Sequence, residues 1–169
     1  MGFPSKLKNF NLFADGTSFM GLAKEVTPPK WAIKMEDWRG GGMLGPVPID
    51  MGLDKLEIDF TLGGLVNTAF QQFGATQYDA AQLRFAGAYQ DDSTGTVQAA
   101  EIVGHGRYQE IDLGNATAGG DTEHKYKLVC SYISLAVDGV TWVEIDLIAG
   151  LFIVFGVDRY AEIRAALGV

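Results

Sequence analysis

The residues with chemical potential are few, and the first group is glycine. Gly40, Gly42 and Gly45 stand as G-x-G-x-x-G inside "EDWRGGGMLGPVPIDMGLDKLEIDF", Glu36 to Phe60. That spacing cradles a dinucleotide pyrophosphate when the glycines follow a strand and open directly into a helix, whose first amides hold the phosphate. Here Pro46-Val47-Pro48 follows, then Gly52, and such a run does not start a helix. The pattern predicts no nucleotide site. A second group is His105, His124 and Cys130, with the histidines on two long strand-like segments where they could face each other near the thiol. Zinc takes three or four protein ligands at recognisable spacing. The histidines therefore read as strand residues on a half-exposed face, and Cys130, among Tyr126, Leu128 and Tyr132, as a buried structural thiol. The carboxylate pairs Glu57/Asp59 and Glu144/Asp146 each share one strand face. Acid–base work needs surroundings that push two such pKa values apart, and these pairs read as solvated. No nucleophile elbow, phosphate loop, H-E-x-x-H or calcium loop occurs. The expectation is no catalytic residue, no metal ligand and no cofactor.

Strands dominate the elements that must carry these residues. "NLFADGTSFMGLAKEV" holds an Asp15-Gly16 hairpin signal, repeated at Asp138-Gly139. "KWAIKMEDW" alternates Trp31, Ile33 and Met35 against charged neighbours. "DKLEIDFTLGG" alternates most cleanly, with Leu56, Ile58, Phe60 and Leu62 on one face and Lys55, Glu57, Asp59 and Thr61 on the other. Between these two lies a glycine-hinged loop, 39–53, longer than most connections in a compact domain. Its Met43, Leu44, Val47, Ile49, Met51 and Leu53 are too apolar for a solvated linker. An apolar loop that leaves its domain should dock, and another copy of the chain is one partner. "LVNTAFQQFG" reads as a short helix with Leu65, Ala69, Phe70 and Phe73 along one side. "QLRFAGAYQ" reads as a strand. Two long strands, about 97–112 and 122–137, then form a pair. Asp158 reads as the N-cap of a closing helix, with Tyr160, Ile163 and Leu167 facing inward and Gly168 as its stop.

With 169 residues, 47% hydrophobic and 20% charged, the chain fits one folded domain over 1–169. The net charge of −8 argues against gripping nucleic acid, which takes clustered Lys and Arg. It leaves open a surface past which nucleic acid slides without sticking. A lone cysteine excludes an internal disulfide and suggests a reducing compartment. The start lacks an apolar signal core. The longest apolar run, Leu147 to Val157, has 11 residues and is too short to span a bilayer. The expectation is a soluble, cytoplasmically made, mainly β domain with two short helices.

Several stretches together resemble a known family. "NLFADGTSFMG", "VTPPKWAIKMEDWRGGGMLGPVPIDMGLDKLEIDF", "EIDLG" and "GVDRYAEIRAALGV" are similar to the major tail tube proteins of contractile-tailed phages of the P2 type. The tubes of R-type bacteriocins are similar too. The "RGGGM…P…DMGL" loop carries most of the specificity. "DLIAGLFIVFG", Asp146 to Gly156, departs by being more apolar than the family pattern.

The resemblance implies a β-sandwich or half-barrel subunit whose copies close into hexameric rings forming one continuous β-barrel. The rings stack into a tube inside the virion tail, built in the host cytoplasm. A contractile sheath lies outside, with baseplate and tail terminator proteins at the ends. Tape measure protein, then DNA, occupies the lumen without specific binding. The implied lumen hairpins are about 30–38 with 54–62, and 97–112 with 122–137. Glu57, Asp59 and Thr61 would face the channel and give it an acidic, phosphate-repelling wall. The implied ring-to-ring element is the 39–53 loop, through Arg39, Gly40, Gly41, Gly42, Met43, Leu44, Pro46, Ile49, Met51 and Leu53. Three alternatives remain at this point: the tube of a bacteriocin or secretion particle, a monomeric ligand-binding β-barrel, and a carboxylate-pair enzyme.

Overall fold

The computed structural model describes residues 2–169. The chain opens with β1 (Lys6–Ala14), β2 (Thr17–Ser18) and β3 (Ala23–Thr27), then β4 (Ile33–Trp38) and β5 (Val47–Leu53). β6 (Leu56–Leu62) leads to α1 (Asn67–Phe70) and β7 (Ala81–Gln90). The long strands β8 (Val97–Asp112) and β9 (His124–Val137) follow. β10 (Val140–Asp146), β11 (Leu151–Val154), β12 (Val157–Asp158) and α2 (Ala161–Leu167) complete it.

Ten strands make one antiparallel sheet, ordered β12-β11-β10-β9-β8-β7-β1-β2 with a branch. The branch lies at β9, because β8 takes the whole of one edge while two strands share the other. β10 pairs with Tyr132–Val137, and β6 pairs with His124–Cys130 and carries β3 beyond it. The long pair thus belongs to two parts of the sheet, and it bends at bulges next to Gly106 and Glu110. Glycine is required there. A Cβ on Gly106 would lie 1.9 Å from the Val129 carbonyl oxygen, and one on Gly104 would meet Cys130 and Ile58 at 2.9 Å.

Alternation fills the space the curled sheet encloses. Leu56, Ile58, Phe60 and Leu62 of β6 are buried, as the period-2 pattern predicts, with Leu12, Leu83, Phe85, Tyr126, Leu128 and Ile133 from the facing strands. Phe60 stacks on Tyr126 at 4.9 Å and meets Tyr108 edge-on at 6.2 Å. Each such side chain contributes roughly 1.5–3 kcal/mol by leaving water. Both Asp-Gly signals are turns with two positive-φ residues, Asp15 (49°) with Gly16 (83°) and Asp138 (51°) with Gly139 (80°). Cys130 is buried, and that burial pushes its thiol up to about 12.

Several expectations are corrected. Residues 30–38 form no ladder with 54–62, only one bond in which the Asp54 amide donates to the Ala32 carbonyl: β4 pairs with β5, while β6 pairs with β3 and β9. The 39–53 segment is therefore not one extended loop. Its second half is strand β5, and only 39–46 remains as a hairpin tip. The closing helix starts at Ala161 with Tyr160, not Asp158, at its N-cap. Asp158 instead accepts from the Tyr160 amide and from Arg164, and those contacts hold its carboxyl below the usual range, Arg164 foremost. Gly168 ends the helix in the left-handed region as expected, but α2 buries none of its residues, Ile163 and Leu167 included. The first helix is one turn, and of its apolar side only Ala69 is buried; Leu65, Phe70 and Phe73 are exposed. Both helices turn apolar side chains outward.

Candidate assembly surfaces

The structure presents three features that a single copy leaves incomplete. The first is a pair of strand edges. β3, β6, β9 and the second half of β8 form a four-stranded, antiparallel part of the sheet. β7 covers β8 only as far as Gly106, so the outer edge of 107–112 has no strand beside it among the described residues. The outer edge of β3 is open likewise. Such edges are templates for further pairing.

The second feature is the open face of those four strands. Register sets its side chains in rows: Thr27, Asp59, Lys127 and Glu110 in one, Glu25, Thr61, Lys125 and Asp112 in the next. A third row holds Glu57, Val129 and Arg107. Lys55 joins Glu57 at 3.3 Å and Gln109 at 2.7 Å, and Lys127 reaches Glu57 at 3.6 Å. Glu57, Asp59 and Thr61 thus share this face, as expected, although Thr61 is largely covered by its neighbours. The acidic wall expected from the sequence is corrected. Five carboxylates stand against four cations, Lys55, Arg107, Lys125 and Lys127, leaving an excess of one negative charge. Lys55 belongs to the face already read from the sequence, but Lys125 and Lys127 sit on β9, whose adjacency to β6 the pattern does not reveal, and Arg107 sits on β8 beyond it.

Desolvation, with Glu57 and Glu110 nearby, raises the Asp59 carboxyl above its ordinary value, and Lys127 only partly offsets this. The folded chain therefore holds this proton more tightly than the unfolded chain does. The resulting stability is present below pH 3.8 and is lost as pH rises through the folded-state pKa. Asp59→Asn is expected to stabilise the unassembled subunit at pH 7 by roughly 0.5 kcal/mol after allowance for solvent screening. The difference should fade as pH falls through the raised folded-state pKa and be gone below pH 3.8. Urea unfolding at both pH values measures it, and a less stable Asn variant at pH 7 would contradict the assignment.

The third feature is an arm. β4 and β5 form a separate two-stranded sheet, and every residue of both is exposed except Leu53, which packs on the core at the base. The tip is a turn: the Met43 amide donates to the Gly40 carbonyl, and Gly42 takes φ 85°. Arg39, Gly41, Gly42, Leu44 and Pro46 lie at that tip in solvent, while Gly40 and Met43 are half-buried against each other. Ile49 and Met51 are exposed along β5, with Trp31, Ile33, Met35, Trp38 and Val47 nearby on the arm. An isolated hairpin is marginal in water, and this one presents its apolar side chains to solvent.

The chemical alternatives find no geometry. His105 stands beside Tyr132, eight residues along β9 from His124, so the histidines are roughly 25 Å apart at strand spacing. His124 is buried rather than half-exposed. No group of three metal-capable side chains occurs among the described residues. Asp146 accepts from the Ile148 and Ala149 amides and serves a turn. Among the described residues the sheet also does not close on itself, since no ladder joins its ends β2, β3 and β12.

Known proteins match this chain in sequence along its full length. The family model of the phage tail tube protein FII matches residues 4–168. The tail tube protein of Escherichia phage P2 is 45% identical, covering all of both chains. The major tail tube protein of Serratia phage KSP20 is 39% identical, covering all of this chain and 99% of that one. In fold, the sheath/tube terminator of an extracellular contractile injection system aligns with a TM-score of 0.59 at 8% identity, over 79% of this chain and 97% of that one. A mainly β subunit with open edges and an unsupported arm, matched end to end by these relatives, belongs to the phage tail tube protein FII family.

Proposed function

We propose that six copies close into a ring through their open edges, and that rings stack through the arms to form the inner tube of a contractile phage tail. The observation that carries this is the strand parity of the four-stranded part. β3, β6, β9 and β8 alternate in direction, so the β8 edge of one copy meets the β3 edge of the next as an antiparallel neighbour. Rotation alone then continues the ladder, and a heterologous contact that closes by rotation makes a ring. Four strands from each of six copies form one barrel with the charged rows facing its lumen. Glu57, Asp59 and Thr61 line that channel together with Glu25, Glu110, Lys125 and Lys127.

In this reading the sheath lies against the outer surface, and baseplate and terminator proteins cap the ends. Tape measure protein, and later DNA, passes the lumen without specific binding. The relatives it matches are tail tube proteins, which supports a structural role over a catalytic one. Purified protein is expected to sediment as rings, or as tubes when concentrated, and to show them in negative stain. A monomer at every concentration would overturn the proposal.

A further inference from the structure

We propose that the arm docks on a charge-free apolar patch at the opposite end of the four-stranded sheet, in a copy belonging to the adjacent ring. The patch consists of Met20, Leu22, Leu65, Phe70 and Phe73, all exposed. This deepens the stacking reading above and rests on it.

The sheet fixes where the two parts lie. β3 and β6 pair from Ala23↔Leu62 at one end to Thr27↔Asp59 at the other. The arm leaves after Thr27 and returns just before Leu56, so it projects from the second end. Residues 19–22 lead into Ala23, and 63–73 follow Leu62, so both halves of the patch sit at the first end. The Gly63 amide donates to the Leu22 carbonyl at 2.9 Å and joins them. A seven-residue strand separates patch from arm, roughly 20 Å. Within one copy they do not meet. Between copies stacked with the same polarity, the arm end of one faces the patch end of the next. That is a head-to-tail contact of the kind that repeats without limit.

Composition supports an interface between proteins over a solvated end. Residues 16–22 and 62–78 contain no Asp, Glu, Lys or Arg, whereas a chain that is 20% charged would place roughly five among them. Loss of charge with retention of Met and aromatic residues marks the centre of an interface. The patch is also held in place from beneath. Phe19 is buried against Phe60 at 6.3 Å, Ala69 is buried under α1, and Phe70 meets Phe73 edge-on at 6.2 Å. Leu65, 88% exposed, tops this platform. On the arm, Trp38 and Val47 are paired and share a face with Ile49, whose partner is Glu36, giving a mainly apolar surface with no partner in its own subunit.

Two measurements test this on the full-length protein. A benzophenone amino acid at position 65, in tubes mixed from isotopically light and heavy protein, should crosslink on irradiation to a peptide within 30–54 of another copy. Crosslinks confined to other segments would overturn the inference. In parallel, Leu65→Asp with Phe73→Asp should still form rings but at least tenfold less tube at equal concentration. Trp38→Asp with Ile49→Asp serves as the reference. If the arm variant loses tubes while the patch variant stacks normally, the patch is wrong and the arm reading stands. If both stack normally, both readings fall.

Discussion

Tubes are expected to vanish, and rings to survive, when Trp38 and Ile49 are both replaced by aspartate. The two side chains lie on the same face of the arm, since Trp38 pairs with Val47 and Glu36 with Ile49. They are 60% and 46% exposed and take no part in the core, so the subunit should lose no more than about 0.5 kcal/mol. In the proposed stack their importance lies between copies. A tryptophan buried at an interface centre contributes about 2–4 kcal/mol, and an aspartate forced into the same apolar contact adds a desolvation cost. In that stack every copy of a ring would use its arm at once. At ~2 kcal/mol per copy the loss for a whole ring exceeds ~10 kcal/mol, enough to stop stacking outright. Sedimentation and negative stain should then find rings at concentrations where the unmodified protein forms tubes. Deleting Gly41–Gly45 at the tip should give a weaker form of the same defect. Tubes of normal length from the aspartate variant would mean that the arm is not the ring-to-ring contact.

What the sequence made legible was periodicity, and what it hid was adjacency. The alternation of Leu56, Ile58, Phe60 and Leu62 placed those residues in the core because one face of β6 must be dry. The two long strands and both Asp-Gly turns followed from equally local signals. β5 was missed because Pro46 and Pro48 read as breakers. In a two-stranded sheet both strands are edges, where a missing N–H faces outward at no cost to the ladder. The pairing of 30–38 with 54–62 rests on the family resemblance alone, and β5 takes that place beside β4. Both helices failed in another way. Their apolar stripes are real, but a period shows only that a stripe exists and not whether its cover lies within the chain. Leu65, Phe70, Phe73, Ile163 and Leu167 all face outward. If neighbours complete the subunit, as proposed, exposed apolar residues are the signal the pattern carries. Lys125 and Lys127 are hidden from the open face for a related reason, since register between strands distant in sequence is not written in either strand alone.

That register decides how the channel should treat DNA. With five carboxylates against four cations on each copy's face, the lumen proposed here is a near-balanced lattice with a small negative excess. Lys127 lies in a row between Asp59 and Glu110, and Lys125 lies beside Asp112, so each ammonium already has a carboxylate neighbour. Phosphates passing such a wall find few free cations and release few counterions, which keeps binding weak. Replacing Glu57 by Gln and Asp59 by Asn shifts the face from one net negative charge to one net positive. Replacing both by lysine shifts it to three positive and leaves Lys127 without Glu57. Repeated around every ring, the second change makes a basic pore that should bind phosphate and stall the genome. Ejection is therefore expected to slow in the order unmodified, amide pair, lysine pair, with the lysine defect at least tenfold in low salt. Screening should relieve it as ionic strength rises, because the Debye length falls to about 3 Å at 1 M. The lysine pair should also cost the subunit more than an ordinary surface exchange, since it crowds Lys55, Lys125 and Lys127, so unfolding must be measured alongside. The amide pair carries no such crowding and keeps the test independent of folding. DNA release triggered in vitro, timed by a dye that brightens on DNA, gives the rates. Equal rates for all three at low salt, in particles with normal tubes, would show that these side chains do not face the channel.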